Sequence, residues 1–213
     1  MKIVVLGANG EVGSRIVGEA LARGHEVTAA VRSPDRAQAV APEAHVVGVN
    51  AEDAEAVAEA ITGHDLVVTA LRPAEGREED LIVLTRSVLD AANSVSLPTI
   101  VVGGAARLSL PEDPANTVLT APGFLPSEVR PIAIACQHQF ELVTARTTGA
   151  WSYISPPAML SPGRRTGRYR TGTDTLIVDE EGQSAISMED FAVAILDEAE
   201  SPKHQRAAFT VGY

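Results

Sequence analysis

Short apolar runs alternate along this chain with longer stretches whose apolar residues recur every three or four positions. The first run is Ile3 to Leu6; the helical stretch after it sets Ile16, Val17, Ala20 and Leu21 on one face, with Gly24 as its stop. Val27 to Val31 predicts a second strand that leaves through Arg32-Ser33-Pro34-Asp35, and Val46 to Val49 a third, ended at Asn50. Glu52 to Ile61 predicts a helix with Gly63 as its cap, Leu66 to Leu71 a fourth strand, and Asp80 to Ala92 another helix. Ile100 to Val102 ends in Gly103-Gly104 as the fifth strand. A helix over Ile132 to Thr144 then leads to a sixth, Trp151 to Ile154, stopped by Pro156-Pro157. Apolar strands alternating with helices predict an α/β fold, a Rossmann-type doubly wound parallel sheet with helices on both faces.

Two stretches break the pattern. From Ala105 to Ser127 no period holds and Pro111, Pro114, Pro122 and Pro126 interrupt it, so a long irregular loop is expected beyond the fifth strand. In the last third, residues 167–171 and 176–179 predict an antiparallel hairpin. Ser187-Met-Glu-Asp190 resembles a capping box that opens a helix over Phe191 to Ala199, and Phe209 to Val211 predicts a final short strand. With no internal repeat, one domain over residues 1–213 is expected, with a small C-terminal lobe at 158–185 on the substrate side.

Composition narrows the function. The 213 residues carry 17 basic and 28 acidic side chains, a net charge of −11, which argues against nucleic acid and anionic membranes as partners. The single cysteine, Cys136, excludes an internal disulfide framework and a Cys-rich zinc site, and no metal site is predicted. No run of about 18 apolar residues is present to span a bilayer. The run after Met1-Lys2 is too short for a signal segment, so a cytoplasmic protein is expected.

The chemistry begins at Gly7-Ala8-Asn9-Gly10-Glu11-Val12-Gly13, which fits G-x-x-G-x-x-G directly between a strand and a helix. Glycines there allow a tight turn and close backbone approach, and the helix N-terminus offers free N–H groups to a pyrophosphate. Gly7, Asn9, Gly10, Glu11, Val12 and Gly13 are therefore candidate dinucleotide contacts. Where an acidic residue would hold an unphosphorylated ribose, the chain has Arg32 followed by Ser33. A guanidinium suits a 2′-phosphate, so NADP is expected over NAD. The alternative is a solvated Arg32, with Asp35 holding the ribose. Ligands of such folds lie beyond the carboxyl ends of the strands. That places Asn50 near adenine, Ala70, Leu71 and Arg72 under the ribose and pyrophosphate, Gly103 and Gly104 near the nicotinamide ribose, and Pro157 and Ala158 on the same rim.

The glycine loop, Val31-Arg32, the run Ile100 to Ala105, Ser155-Pro156-Pro157-Ala158, Arg165 to Arg170, Ser187 to Ala192 and the ending Phe209 to Tyr213 recur together in one group. On these residues the chain resembles the atypical short-chain dehydrogenase/reductases of the NADH-flavin reductase group, similar to biliverdin reductase B. The resemblance spans nearly the whole chain. It implies a Rossmann fold, a monomer or weak homodimer, and reduction of FMN or another flavin-like acceptor. It departs from biliverdin reductase B at Ala105 and Ala158, where that protein has a serine and pocket histidines, which weakens bilin reduction as the activity.

Alcohol oxidation in the wider superfamily uses Tyr-x-x-x-Lys on the helix before the sixth strand. Here the only lysines are Lys2 and Lys203, and the tyrosines are Tyr153, Tyr169 and Tyr213, so the relay is absent. A flavin or quinone is its own electron sink, and the protein needs only to stack it against the nicotinamide. His138, on the helix where the relay would be, is a candidate acid or hydrogen-bond donor, or else a surface histidine. The basic run Arg164, Arg165, Arg168 and Arg170 is a candidate anion site, with Arg164 and Arg165 as substrate contacts, or else solvated charge. The leading expectation is an NAD(P)H-dependent reductase of a flavin or quinone-like acceptor. The alternative of another class is a non-catalytic dinucleotide sensor of the NmrA type; a nucleotide-sugar epimerase would need the missing pair and a larger lobe.

Overall fold

The computed structural model describes residues 1–34 and 42–213. Its strands, in chain order, are β1 (Lys2–Leu6), β2 (Glu26–Val31), β3 (His45–Gly48), β4 (Leu66–Thr69), β5 (Thr99–Val102), β6 (Trp151–Ser155), β7 (Met159–Ser161), β8 (Arg170–Gly172), β9 (Ala185–Ser187) and β10 (Ala207–Gly212). The helices are α1 (Glu11–Ala22), α2 (Ala54–Ile61), α3 (Asp80–Ser94), α4 (Arg130–Thr144) and α5 (Met188–Glu200). Eight strands make one sheet in the order β3-β2-β1-β4-β5-β6-β10-β8, and β7 with β9 makes a separate pair. Among these strands every pairing is parallel except β10 with β8.

The unbroken apolar runs have their cause in two-sided burial. Along β1, Ile3 and Val5 pack with Ile16, Val17 and Ala20 of α1 and with Phe191 and Ile195 of α5. Val4 and Leu6, pointing the other way, pack with Val57 and Ile61 of α2 and Val88 and Ala92 of α3. Over β6, Val143 of α4 meets Trp151 and Tyr153. The order reverses between β1 and β4, so the crevice outside their carboxyl ends is where such a sheet takes a ligand.

The C-terminal third departs from the expected hairpin. Residues 176–179 do not pair with 167–171; β8 instead lies antiparallel to β10, with Thr171 opposite Val211. The cause is the otherwise open edge of β10, which β8 covers. Thr175 meanwhile crosses to Ser109, and Leu176 donates its N–H to the Ser109 carbonyl at 2.9 Å. The stretch 105–127 has no regular element, as expected, yet it is packed: Leu108, Val118 and Leu176 form a small core of their own.

At the start of α5 the Ser187 hydroxyl accepts the Asp190 N–H at 3.0 Å, the first half of the expected capping box. The second half does not form. The Asp190 carboxylate turns to the segment 166–167 and accepts from the Thr166 and Gly167 N–H groups, both at 2.8 Å, and from the Thr166 and Tyr213 hydroxyls at 2.6 and 2.7 Å.

Between α1 and α5 the buried Glu19 lies between Arg23 at 2.8 Å and a bidentate Arg165 at 2.7 and 2.8 Å. The Arg165 hydrogen bonds hold its carboxyl below the ordinary 4.5, against the upward push of burial and with help from Arg23. Burial likewise pushes Glu189 and Asp190 up, and hydrogen bonds outweigh it in both, leaving them below their ordinary values. A carboxyl depressed in the folded state contributes stability that is complete above its unfolded pKa and is lost as pH falls through the folded one. The thermal midpoint is therefore expected to be flat near neutrality and to fall below about pH 4.5. Glu19→Gln should make that acid fall shallower while lowering the neutral-pH midpoint; an unchanged acid limb would show that Glu19 does not drive it.

Candidate functional site

Six parallel strands end on one rim. Each is followed by a segment singled out in the sequence: Gly7 to Gly13 after β1, Arg32-Ser33 after β2, Asn50 after β3, Ala70 to Arg72 after β4, Gly103-Gly104 after β5 and Pro157-Ala158 after β6. The β1 turn is folded tightly on itself. Gly7 has φ +80°, its N–H reaches the Ala30 carbonyl at 3.2 Å, and its own carbonyl accepts the Gly10 N–H at 2.9 Å. A Cβ on Gly7 would lie under 3.0 Å from the Ala70 carbonyl, and one on Gly13 would lie as close to the Gly7 carbonyl. Gly10 precedes α1 and offers no side chain to cap it, so the first N–H groups of α1 open onto the turn. That is a cradle for an anion in contact with main chain, and it fits a dinucleotide pyrophosphate.

On one side of the turn, Arg32, Ser33 and Asn50 stand exposed at the adjacent ends of β2 and β3. The Asn50 amide oxygen accepts the Glu52 N–H at 3.2 Å, fixing the turn into α2. Among the described residues Arg32 has no ion pair. Asp35, the alternative ribose ligand, lies outside the described residues.

On the other side, Gly103 and Gly104 leave β5 over a buried tyrosine. A Cβ on Gly103 would run into the Tyr153 ring, and one on Gly104 would lie 2.8 Å from the Cys136 thiol. The Tyr153 hydroxyl sits among Gln139 Oε1 at 3.2 Å, the Cys136 carbonyl at 3.3 Å and the Gly104 N–H at 3.4 Å. Burial raises this phenol far above its ordinary value, so it stays protonated and ties α4 to the Gly104 end of β5. Burial also pushes the Cys136 thiol up to about 11, with Arg72 pulling the other way. Pro157 is buried and Ala158 exposed, its N–H held by Ser184 Oγ at 3.3 Å.

The remaining expected site residues lie on α4 and in the segment after β7. Ala135, Gln139 and Val143 form the buried face of α4, and His138 stands exposed on another face, two residues and so roughly 200° round from Cys136. Helical phase, with apolar or amide residues at four-residue spacing, could have signalled this. Arg165 is engaged by Glu19 in the third turn of α1, about 12 Å along the helix from its open end. Arg170 donates to the carbonyls of Val178 and Tyr213. Arg164 is exposed, its carbonyl accepting from the Ser187 hydroxyl. Sequence reasoning missed Arg107, a buried guanidinium behind the end of β6. An open cleft of about 420 Å³ lies at the opposite end of β6 and β10, lined by Trp151, Arg146 and Arg206, away from this rim.

Residues 7–202 match the family described as NAD(P)H-binding. The chain belongs to this NAD(P)H-binding family. Across 99% of its length and 98% of the relative's, it is 38% identical to the uncharacterized protein YwnB of Bacillus subtilis. Among solved structures, this NAD(P)H-binding protein is similar to a candidate epimerase from Bacteroides thetaiotaomicron, at 36% identity and TM-score 0.91, with 100% of this chain and 96% of that one covered. It is also similar to a candidate NADH-flavin reductase from Streptococcus pneumoniae, at 29% identity and TM-score 0.89, covering 100% and 99% of the two chains. The resemblance to atypical short-chain reductases thus holds at the level of fold and family. Among the described residues no helix is long and apolar enough to cross a membrane.

Proposed function

We propose that the protein is an NAD(P)H-dependent reductase of a flavin or quinone-like acceptor, with NADPH the preferred donor. The observation that carries the reading is the combination at one rim: a cradle only glycine permits at β1, and a nicotinamide side of Gly103, Gly104, Cys136, Pro157 and Ala158, none of them a carboxylic acid or an imidazole. When bound, the reduced nicotinamide supplies hydride. The chain's own part is to hold it: N–H groups of α1 and the Gly7–Gly13 turn face the pyrophosphate, and Arg32 and Ser33 the 2′-phosphate. Gly103 and Gly104 leave room for Tyr153 and Cys136 beneath them and present only main chain to the ring. The Tyr153 hydroxyl is fixed beneath, so proton delivery to the acceptor falls to water. His138 has no place in this scheme. The NADH-flavin reductase name of the Streptococcus pneumoniae neighbour is in keeping with it.

The test is oxidation of NADPH and NADH followed at 340 nm with FMN, riboflavin or a quinone, beside direct binding of each dinucleotide. Acceptor-dependent turnover supports the reductase. Tight binding without turnover favours the NmrA-type sensor, and no binding defeats both. Arg32→Glu is expected to weaken NADPH by more than about tenfold while changing NADH by less than about threefold, as loss of a charge-assisted pair to phosphate requires. Equal losses would remove Arg32 from the 2′-phosphate.

A further inference from the structure

The cleft at the far end of β6 and β10 has its cause in how the sheet is covered. Phe209 and Val211 of β10 pack on the side of α5, and Ala208 packs with Tyr153 on the other. On that second side α4 covers β6 through Val143, while the last helix, α5, lies on the first. Ala207 and Ala208 are too small to fill the gap, so about 420 Å³ stays open between Phe140 of α4 and the segment Thr173-Asp174. Three features of this cleft are left unexplained by the fold. Trp151, which lines it, is 6% exposed, and its buried Nε1–H has no acceptor. A buried donor left unpaired costs free energy, so such a group calls for a partner. Arg206, beside it, holds φ +53°, a left-handed backbone that is strained for arginine and is found where function requires it. Its N–H is tied to the Trp151 carbonyl at 2.6 Å, and its guanidinium has no ion pair among the described residues. Cations also outnumber acids. Arg146 and Arg206 line the cleft, and Arg107 is held at its wall by Thr173, Asp174 and Phe140; their ion pairs among the described residues are with Asp90 and Asp174 alone. This is a local positive excess in a chain of net charge −11.

We propose that this cleft is a second binding site, separate from the dinucleotide rim, and that it takes a small aromatic carboxylate between Trp151, Arg206 and Phe140. The site goes beyond the reductase reading and uses none of its residues. A carboxylate has two acceptor oxygens: one can take the Trp151 N–H, and the other can pair with the Arg206 guanidinium, whose planar fork suits it. The backbone bond between Trp151 and Arg206 makes these two side chains neighbours. A flat ring would lie against Phe140 and the methyl groups of Ala207 and Ala208. Phosphate or another mineral anion would leave the aromatic wall unused, and a neutral arene would leave the cations unanswered. The volume falls within the roughly 300–1,000 Å³ usual for small-molecule sites, toward its lower end.

Trp151 is the only tryptophan of the chain, so its emission reports this cleft directly. Benzoate should change that emission saturably, and calorimetry should return the same Kd with or without saturating NADPH. Benzamide, which lacks the charge, and acetate, which lacks the ring, should each bind at least about tenfold more weakly. Two variants locate the contacts. Trp151→Phe keeps a ring and loses an N–H that bonds nothing in the free protein. Its thermal midpoint should stay near that of wild type while calorimetry shows benzoate about three- to tenfold weaker. Arg206→Gly removes the guanidinium together with the left-handed strain, so affinity should fall about tenfold while the midpoint holds or rises. Residues kept only for the fold would behave in reverse, losing midpoint and leaving benzoate affinity unchanged, and that outcome overturns the proposal. So would the absence of saturable binding by both readouts, equal affinity for benzamide or acetate, or displacement of benzoate by NADPH. If benzoate binds in the expected order to a protein that takes up no dinucleotide, the reductase reading fails while this site stands.

Discussion

Gly13→Ala is expected to abolish dinucleotide binding, by a hundredfold or more, about 3 kcal/mol, and to lower the thermal midpoint at the same time. The added Cβ would meet the Gly7 carbonyl under 3.0 Å, and that oxygen has nowhere to go. It already accepts the Gly10 N–H at 2.9 Å, and Gly7 is itself lodged against the Ala70 carbonyl. The turn must open, and with it the array of N–H groups that would face the pyrophosphate. Gly10→Val provides the control. A Cβ there has one neighbour within 4 Å, the Gly7 carbonyl at 3.2 Å, and the position is exposed. The fold should keep most of its stability, and binding should fall because the side chain crowds the ligand. Calorimetric titration with NADPH and NADH, read beside thermal unfolding, separates the two effects. Wild-type affinity in Gly10→Val would show that the phosphates do not lie at this turn.

The glycine loop and the first six strands were legible because their causes are local. Two-sided burial writes a strand as an apolar run, and a turn that must pass under a helix writes itself as G-x-x-G-x-x-G. The last third was illegible for the opposite reason. β7, β8 and β9 have three residues each, too few to show a period, and β7 and β8 are mostly exposed. β8 pairs with β10, some forty residues away, because an edge needed cover. The arginines show the same limit. Arg165 reads as rim charge until Glu19, 146 residues earlier, claims two of its three guanidinium nitrogens, and Arg107 reads as a loop residue until Ser155 and Asp174, 48 and 67 residues away, fold round it. Ser187-Met-Glu-Asp190 was legible as a helix start, but only tertiary structure shows that its acid serves a different segment.

That acid carries the second large expectation. Asp190→Ala should cost about 3–5 kcal/mol of stability, because a fully buried carboxylate is removed and its donors are left without an acceptor. Oδ1 takes the Thr166 and Gly167 N–H groups, which have no freedom to turn away, whereas Oδ2 takes the hydroxyls of Thr166 and Tyr213. Asp190→Asn should therefore cost much less, about 1–2 kcal/mol. Its carbonyl oxygen can keep both N–H groups, and the hydroxyls can rotate to accept from the amide nitrogen, with Ser187 Oγ, 2.8 Å from the Tyr213 oxygen, ready to receive the displaced proton. The ranking has a local readout. Residues 163–168 are pinned to α5 through Asp190 and through the Gly163 N–H on Glu189 at 2.7 Å, and they carry the exposed Arg164, Arg165 and Arg168. Trypsin should cut Asp190→Ala there well before the fold unravels, Asp190→Asn more slowly, and wild type slowest. The alanine phenotype should also emerge in part in wild type once pH falls below the ordinary aspartate range and through the depressed value that Asp190 holds in the fold. Equal urea midpoints for the two variants, or unchanged cleavage, would mean that the segment is held by Arg165 on Glu19 and not by Asp190.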